Sequence, residues 1–210
     1  MSYIEKKYEY LVDNSGVTAG TQKWLRPAIG DPMVVSGILS DLGLTRTVDG
    51  EKKYGLFDYD DTGTTTTPIS LTSAGGYVYL TNNELGVNTN KNFPPAGVTD
   101  VWDASTQQLD FSELTLGSKV EYRIDVAFTT TSPNQKIEFA MDFAIGDPIA
   151  FPKTFFNNEY KAAGLNEETI SFTHYIGSEA VKTNPAKFKA RSDGNCSLIV
   201  NGWVAFVTLY

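Results

Sequence analysis

Alternation of apolar and polar residues is the clearest pattern in the chain, and it predicts β-strands. Every second residue from position 120 to 128 is apolar, and charged residues fill most of the positions between them: Val120, Tyr122, Ile124, Val126 and Phe128 against Glu121, Arg123 and Asp125. Successive side chains of a strand point to opposite faces, so this segment has one apolar face. The same period runs from Ile137 to Ile145. We therefore predict that the two segments form an antiparallel pair.

Further strands are predicted on both sides of this pair. Residues 69–72 and 77–81 surround a Gly75-Gly76 turn and predict a hairpin. Segments 168–176 and 186–191 predict two more strands, the first with Ile170, Phe172 and His174 on one face. The apolar segment 197–210 is interrupted by Asn201-Gly202, which predicts either a tight hairpin turn or a bulge within one strand.

The first part of the chain has a different pattern. Asp31-Pro32 precedes a run of apolar residues that ends at Gly43, which predicts one short helix with Asp31 as its N-cap. Turn-rich polar stretches surround it. We interpret residues 1–53 as an N-terminal segment for attachment or oligomerisation, and residues 54–210 as the main domain.

Together these elements predict an all-β fold. About eight strands with turn-rich connections are typical of a sandwich or jelly roll. Amphipathic helices do not alternate with the strands, which excludes a parallel α/β fold. The expectation is an antiparallel jelly-roll sandwich preceded by a short N-terminal segment that contains little helix.

The net charge of the chain and the lengths of its apolar runs limit the kinds of partner and location that we expect. The chain has 17 basic and 25 acidic residues and a net charge of −8, which argues against binding to nucleic acid or to an anionic membrane. No apolar run suits a signal peptide or a transmembrane helix. We therefore expect a soluble protein made in a cytoplasm. One cysteine among 210 residues permits no disulfide within the chain.

Residues suited to catalysis or metal binding are few. His174 is the single histidine, and no Gly-x-Ser-x-Gly motif accompanies it. We interpret His174 as a structural residue and Cys196 as an inert thiol. The segment 58–63 begins like a calcium loop, but Ile69 stands where a bidentate Glu is required. The sequence therefore predicts no enzyme activity, no catalytic, cofactor-binding or metal-binding residue and no cofactor, and it leaves any binding residues unknown.

Tryptophans are the remaining candidates for a binding surface, because their rings stack on sugars and anchor partners. Trp203 lies in an apolar strand and is predicted to be a core residue. Trp102 lies where a loop leads into a strand, and both core packing and ligand contact stay open for it. Segments 82–98 and 146–168 are predicted to be long loops, on which exposed aromatic residues would favour glycan binding.

The second part of the chain resembles a known family. The resemblance rests on seven segments: 101–103 (Val-Trp-Asp), 109–117, 120–126, 129–135, 175–177, 184–188 (Asn-Pro-Ala-Lys-Phe) and 200–203 (Val-Asn-Gly-Trp). Over residues 65–210 the chain looks like the C-terminal jelly-roll domain of tailed-bacteriophage virion proteins, which include fibre, spike and head-decoration proteins. It is more distantly similar to trimeric C1q-like and tumour-necrosis-factor-like jelly rolls.

The resemblance implies a function and partners. It implies a phage virion structural protein, a homotrimeric capsid-decoration or head-fibre protein that is made in the host cytoplasm and located in the virion. Tyr and Phe residues of the last strands, including Tyr210, would surround the threefold axis. Residues 1–53 would bind capsid or tail proteins. The alternative is a tail-fibre or spike module that binds a host-surface glycan.

Overall fold

Two antiparallel sheets make up most of the computed structural model, which describes residues 52–73 and 75–210. Its strands are β1 Tyr54–Asp60, β2 Ile69–Leu71, β3 Val78–Tyr79, β4 Asn90–Phe93, β5 Trp102–Asp103, β6 Gln108–Leu109, β7 Lys119–Thr130, β8 Gln135–Phe143, β9 Phe151–Tyr160, β10 Gly164–Tyr175, β11 Lys187–Ser192 and β12 Cys196–Thr208. Two short helices, α1 Gly63–Thr66 and α2 Glu179–Thr183, interrupt them. The predicted helix at 31–43 and Trp24 lie outside the described residues.

The strand order is that of a jelly roll. The first sheet has the order β10-β7-β12-β1-β4, with β2 also paired to β12, and the second sheet has the order β3-β11-β8-β9. From β7 onward the chain crosses from one sheet to the other at every connection except that between β8 and β9. A small β5-β6 ribbon is separate from both sheets. The predicted all-β jelly-roll sandwich is confirmed.

Two predicted strand pairings are wrong. β7 pairs with β10 and β12, whereas β8 pairs with β11 and β9. The predicted hairpin around Gly75-Gly76 is also split, because β2 joins β12 and β3 joins β11. In both cases the two strands belong to opposite sheets. Alternation correctly identifies the apolar face of each strand. It does not identify the partner strand, because two strands adjacent in sequence can bury their apolar faces equally well side by side in one sheet or facing each other from opposite sheets.

The predicted loops and the Asn201-Gly202 ambiguity are also resolved. Segment 82–98 contains β4, and segment 146–168 contains β9 and the start of β10, so neither is a continuous loop. β12 is one strand with a bulge, since its register with β7 shifts between Val200 and Gly202. A Cβ atom at Gly202 would lie 2.6 Å from the carbonyl oxygen of Tyr59. Glycine therefore permits the close approach of β1 to the bulge.

Aromatic rings fill the space between the two sheets. Tyr122 on β7 is completely buried, and its ring centroid lies 5.1 Å from Phe172 on β10 and 5.1 Å from Phe188 on β11. His174 is 5% exposed and stacks 5.7 Å from Tyr122. Neither of its ring nitrogens has a hydrogen-bond partner among the described residues. Burial, with a smaller contribution from Lys153, lowers the pKa of His174 to about 3.

The described residues include no helix of the length and apolar character needed to cross a membrane.

The depressed pKa of His174 predicts that the fold is sensitive to acid. The unfolded chain binds a proton on this imidazole near pH 6.5, whereas the folded chain does so only at about pH 3. The stability contributed by the neutral ring is complete above pH 6.5 and is lost as the pH falls toward 3. The loss within this window is about 1.4 kcal/mol per pH unit.

A His174→Phe variant separates this effect from the titration of carboxylates. Phenylalanine keeps an apolar ring among the surrounding aromatic residues and cannot be protonated. We expect urea unfolding measured from pH 7 to pH 4 to show a shallower loss of stability in the variant than in the parent chain. Parallel pH profiles for the two proteins would contradict the assignment.

Candidate functional site

The tryptophan and cysteine candidates belong to the core. Trp102 is 3% exposed, and its ring lies edge-on to Trp203 with centroids 4.7 Å apart. Its indole nitrogen donates a hydrogen bond of 3.3 Å to the carbonyl of Asn82. This resolves the open choice for Trp102 in favour of core packing. Cys196 is buried, and burial raises the pKa of its thiol to about 11, which disfavours the thiolate needed for nucleophilic attack.

The acidic turn after β1 has a structural role. Asp61 accepts hydrogen bonds from the backbone nitrogen of Thr64 (2.7 Å), from its hydroxyl (2.6 Å) and from the backbone nitrogen of Asn83 (2.8 Å). Asp60 accepts two bonds from Asn88. These carboxylates attach segment 83–88 to the end of β1. Within the described residues, no group of three or more His, Cys, Asp and Glu side chains could hold a metal ion.

Asp61 and Asp58 form a matched pair for testing this role. Asp61→Asn replaces an acceptor oxygen with an amide donor that faces backbone N–H groups. We therefore expect the free energy of unfolding to fall by about 2 kcal/mol or more. The pKa of Asp58 is raised by burial and by Asp60 and Asp125. Asp58→Asn should therefore change stability by less than about 0.5 kcal/mol or increase it. Urea unfolding at pH 7 measures both, and equal losses would contradict the assigned roles.

An apolar surface lies on the outer face of the first sheet. Leu56 on β1 pairs with Phe93 on β4 and with Phe206 on β12, and Tyr54 shares their face. Tyr54 is 70% exposed, Phe93 52% and Phe206 42%. We call these four residues the face patch. The face patch therefore presents three partly exposed aromatic rings on neighbouring strands of one sheet.

A second apolar surface lies at the open side of the sandwich where β9 and β10 run past each other. The rings of Phe155 and Phe172 stack across the two sheets with centroids 4.0 Å apart, and both are half-buried. Phe151 on β9 is 43% exposed, and its ring stacks 5.2 Å from the buried Phe143. We call Phe151, Phe155 and Phe172 the edge patch. Its residues come from two terminal strands, whereas the face patch comes from neighbouring strands of one sheet.

The outer face of the second sheet is polar and carries a network of hydrogen bonds and ion pairs. Glu138 on β8 accepts bonds from Arg191 on β11 (2.7 and 3.2 Å), from Thr154 (2.9 Å) and from the hydroxyl of Tyr77. The Tyr77 ring has the Lys189 ammonium 4.3 Å and the Arg191 guanidinium 4.8 Å from its centroid. Glu138, Arg191 and Lys189 on this face therefore each have an opposite charge or an aromatic ring beside them.

A groove of about 430 Å³ opens beside this network. Its lining includes Lys136, Glu138, Asn157, Arg191, Ser192 and Asp193. The turn after β11 is fastened to β8, because Gln135 donates to the Ser192 hydroxyl (2.7 Å) and Asp193 accepts from the Lys136 backbone nitrogen (2.7 Å). Alternation in the sequence marks Glu138 as an outward residue. The sequence pattern does not predict the groove, because its lining comes from β8, β9 and β11, and these strands become neighbours only in the folded sheet.

Comparison with known proteins finds fold-level likenesses only. No protein-family model matches the chain, and no curated protein does. A structure of infectious bursal disease virus, Gx strain, is similar at 11% identity with a TM-score of 0.40, covering 77% of this chain and 33% of that one. Murine APRIL is similar at 12% identity and TM-score 0.38, covering 75% and 100%.

A xylan-binding domain from Paenibacillus barcinonensis is similar at 10% identity and TM-score 0.38, covering 73% of this chain and 99% of the domain. The chain thus spans about a third of the virus protein and nearly all of the two smaller ones. These identities and scores assign the chain to no family. The neighbours thus include a virus structure, APRIL and a xylan-binding domain.

Proposed function

We propose that the chain is a structural protein of a phage particle that assembles as a homotrimer through its jelly-roll domain. The resemblance of residues 65–210 to tailed-phage virion proteins supports the virion location. The observation that carries the assembly is the presence of two separate apolar patches on one jelly roll. The proposed role is capsid decoration or a head fibre.

The composition of the patches favours contact with protein. Single apolar side chains on a surface are ordinary, but neighbouring exposed aromatic rings mark interaction sites. Tyr and Phe are enriched at the buried centres of interfaces. Tyr54, Phe93 and Phe206 meet this description on the face patch. The partly exposed ring of Phe151 and the stacked rings of Phe155 and Phe172 meet it on the edge patch.

The difference between the patches favours a ring over a two-fold dimer. A two-fold contact uses the same surface on both subunits, whereas a head-to-tail contact uses two different surfaces and closes into a ring when the rotation permits. The face patch of one subunit would cover the edge patch of the next. Three subunits follow from the resemblance to trimeric jelly rolls. Tyr210, which is 87% exposed, is available to extend the contact.

Attachment to the particle is assigned to residues 1–53, which would bind capsid or tail proteins. Mass spectrometry of purified particles tests the location directly. A virion component should be present in fixed stoichiometry with the coat protein. Absence of the chain from purified particles would contradict the virion location while leaving the trimer to be tested separately.

The face patch gives a direct test of assembly. Phe206→Lys introduces a charge into the face patch and should weaken each contact by about 2 kcal/mol or more. Light scattering coupled to size exclusion should show three subunits for the parent chain and one for the variant. Val87→Lys is the matched control, because Val87 is 97% exposed and belongs to neither patch. A parent chain that is monomeric at all concentrations would contradict self-association in solution.

A mixing experiment tests the head-to-tail geometry. Phe151→Lys damages the edge patch and should also give a monomer. A mixture of the Phe206→Lys and Phe151→Lys variants contains one intact face patch and one intact edge patch. We therefore expect a species of two subunits that neither variant forms alone. A mixture that stays monomeric, although each variant alone has lost the trimer, would contradict a contact between face and edge.

A second candidate function is that of a tail-fibre or spike module that binds a host-surface glycan. The groove on the outer face of the second sheet favours it. That face is on the opposite side of the sandwich from the face patch, so a contact that covers the face patch leaves the groove of the same subunit exposed.

A further inference from the structure

We infer that the groove beside Glu138 and Arg191 binds a neutral saccharide. The inference rests on the second candidate function and names its site and its class of ligand. Two cations, Lys136 and Arg191, and two carboxylates, Glu138 and Asp193, line the groove. Their charges cancel. An anionic ligand would meet the carboxylates and a cationic ligand would meet the cations, so the lining favours an uncharged polar molecule.

The hydrogen-bonding capacity of the lining matches sugar hydroxyls. A hydroxyl both donates and accepts, so it pairs with donors and acceptors alike. Asn157 supplies both in one amide, Lys136 supplies donors and Asp193 supplies acceptors. Among the described residues, the Asn157 amide and the Lys136 ammonium make no hydrogen bond, which leaves both available to a ligand.

The walls of the groove are held in place before a ligand arrives. Glu138 fixes the Arg191 guanidinium through two hydrogen bonds, and Gln135 fixes Ser192. Side chains that are already ordered lose little conformational entropy on binding. The volume of about 430 Å³ also lies within the usual range of small-molecule sites. A trimer would present three such grooves, which raises avidity for a surface covered with glycan.

The test is a titration of the isotope-labelled 210-residue chain in which backbone amide chemical shifts are measured. The probes are cellotriose, maltotriose, mannotriose and chitotriose at millimolar concentration, with sialyllactose as the anionic comparison. We expect at least one neutral probe to shift the amides of Lys136, Asn157, Arg191 and Asp193, with smaller shifts from sialyllactose. Stronger shifts from sialyllactose, or no local shifts from any neutral probe, would overturn the inference.

Two neighbouring asparagines provide matched variants. Asn157 lies opposite Glu138 and faces the groove, whereas Asn158 lies opposite the core residue Ile137. Asn157→Ala should weaken binding at least tenfold, and Asn158→Ala should leave it unchanged. Glycan-array binding by the parent chain that survives in Asn157→Ala would overturn the groove assignment but keep the glycan-binding function. The mass measurement of the trimer is independent of both results.

Discussion

The packing of aromatic rings between the two sheets is the constraint on which the rest of the structure depends. Tyr122 lies at its centre, completely buried on β7, the strand between β10 and β12. Its contacts with Phe172 and Phe188 join both sheets through one side chain. Burial leaves the Tyr122 hydroxyl, both His174 nitrogens and the Trp203 indole nitrogen without partners among the described residues. Burying these unpaired polar atoms costs free energy, and the burial of large aromatic surfaces in the same cluster offsets that cost.

The interior fixes the roles of the outer faces. Once the apolar set of each strand points inward, the remaining positions of the first and second sheets form two separate surfaces. The first carries the face patch, and the second carries the paired charges around Glu138 and Arg191. The face patch and the groove thus lie on opposite sides of one sandwich, so that a contact at the face patch need not obstruct ligand binding.

Connections outside the sheets depend on carboxylates. Asp61 and Asp60 hold segment 83–88 against β1, and Glu113 accepts bonds from the backbone and hydroxyl of Thr99. The carboxylates of the acidic turn therefore accept hydrogen bonds from backbone N–H groups of this chain. Hydrogen bonds to an ionised carboxylate are roughly twice as strong as those between neutral groups, so each of these contacts stabilises its loop.

The sequence by itself determined the fold class, because strand alternation and the lack of alternating helices leave few other architectures. It also determined which residues of β7, β8 and β10 face inward. Only the tertiary structure decided that β7 and β8 lie in opposite sheets, because a period of two marks a face and carries no information about the partner. The groove and both patches were likewise decided there: Lys136, Asn157 and Arg191 are distant in sequence, and only the sheet order brings them together.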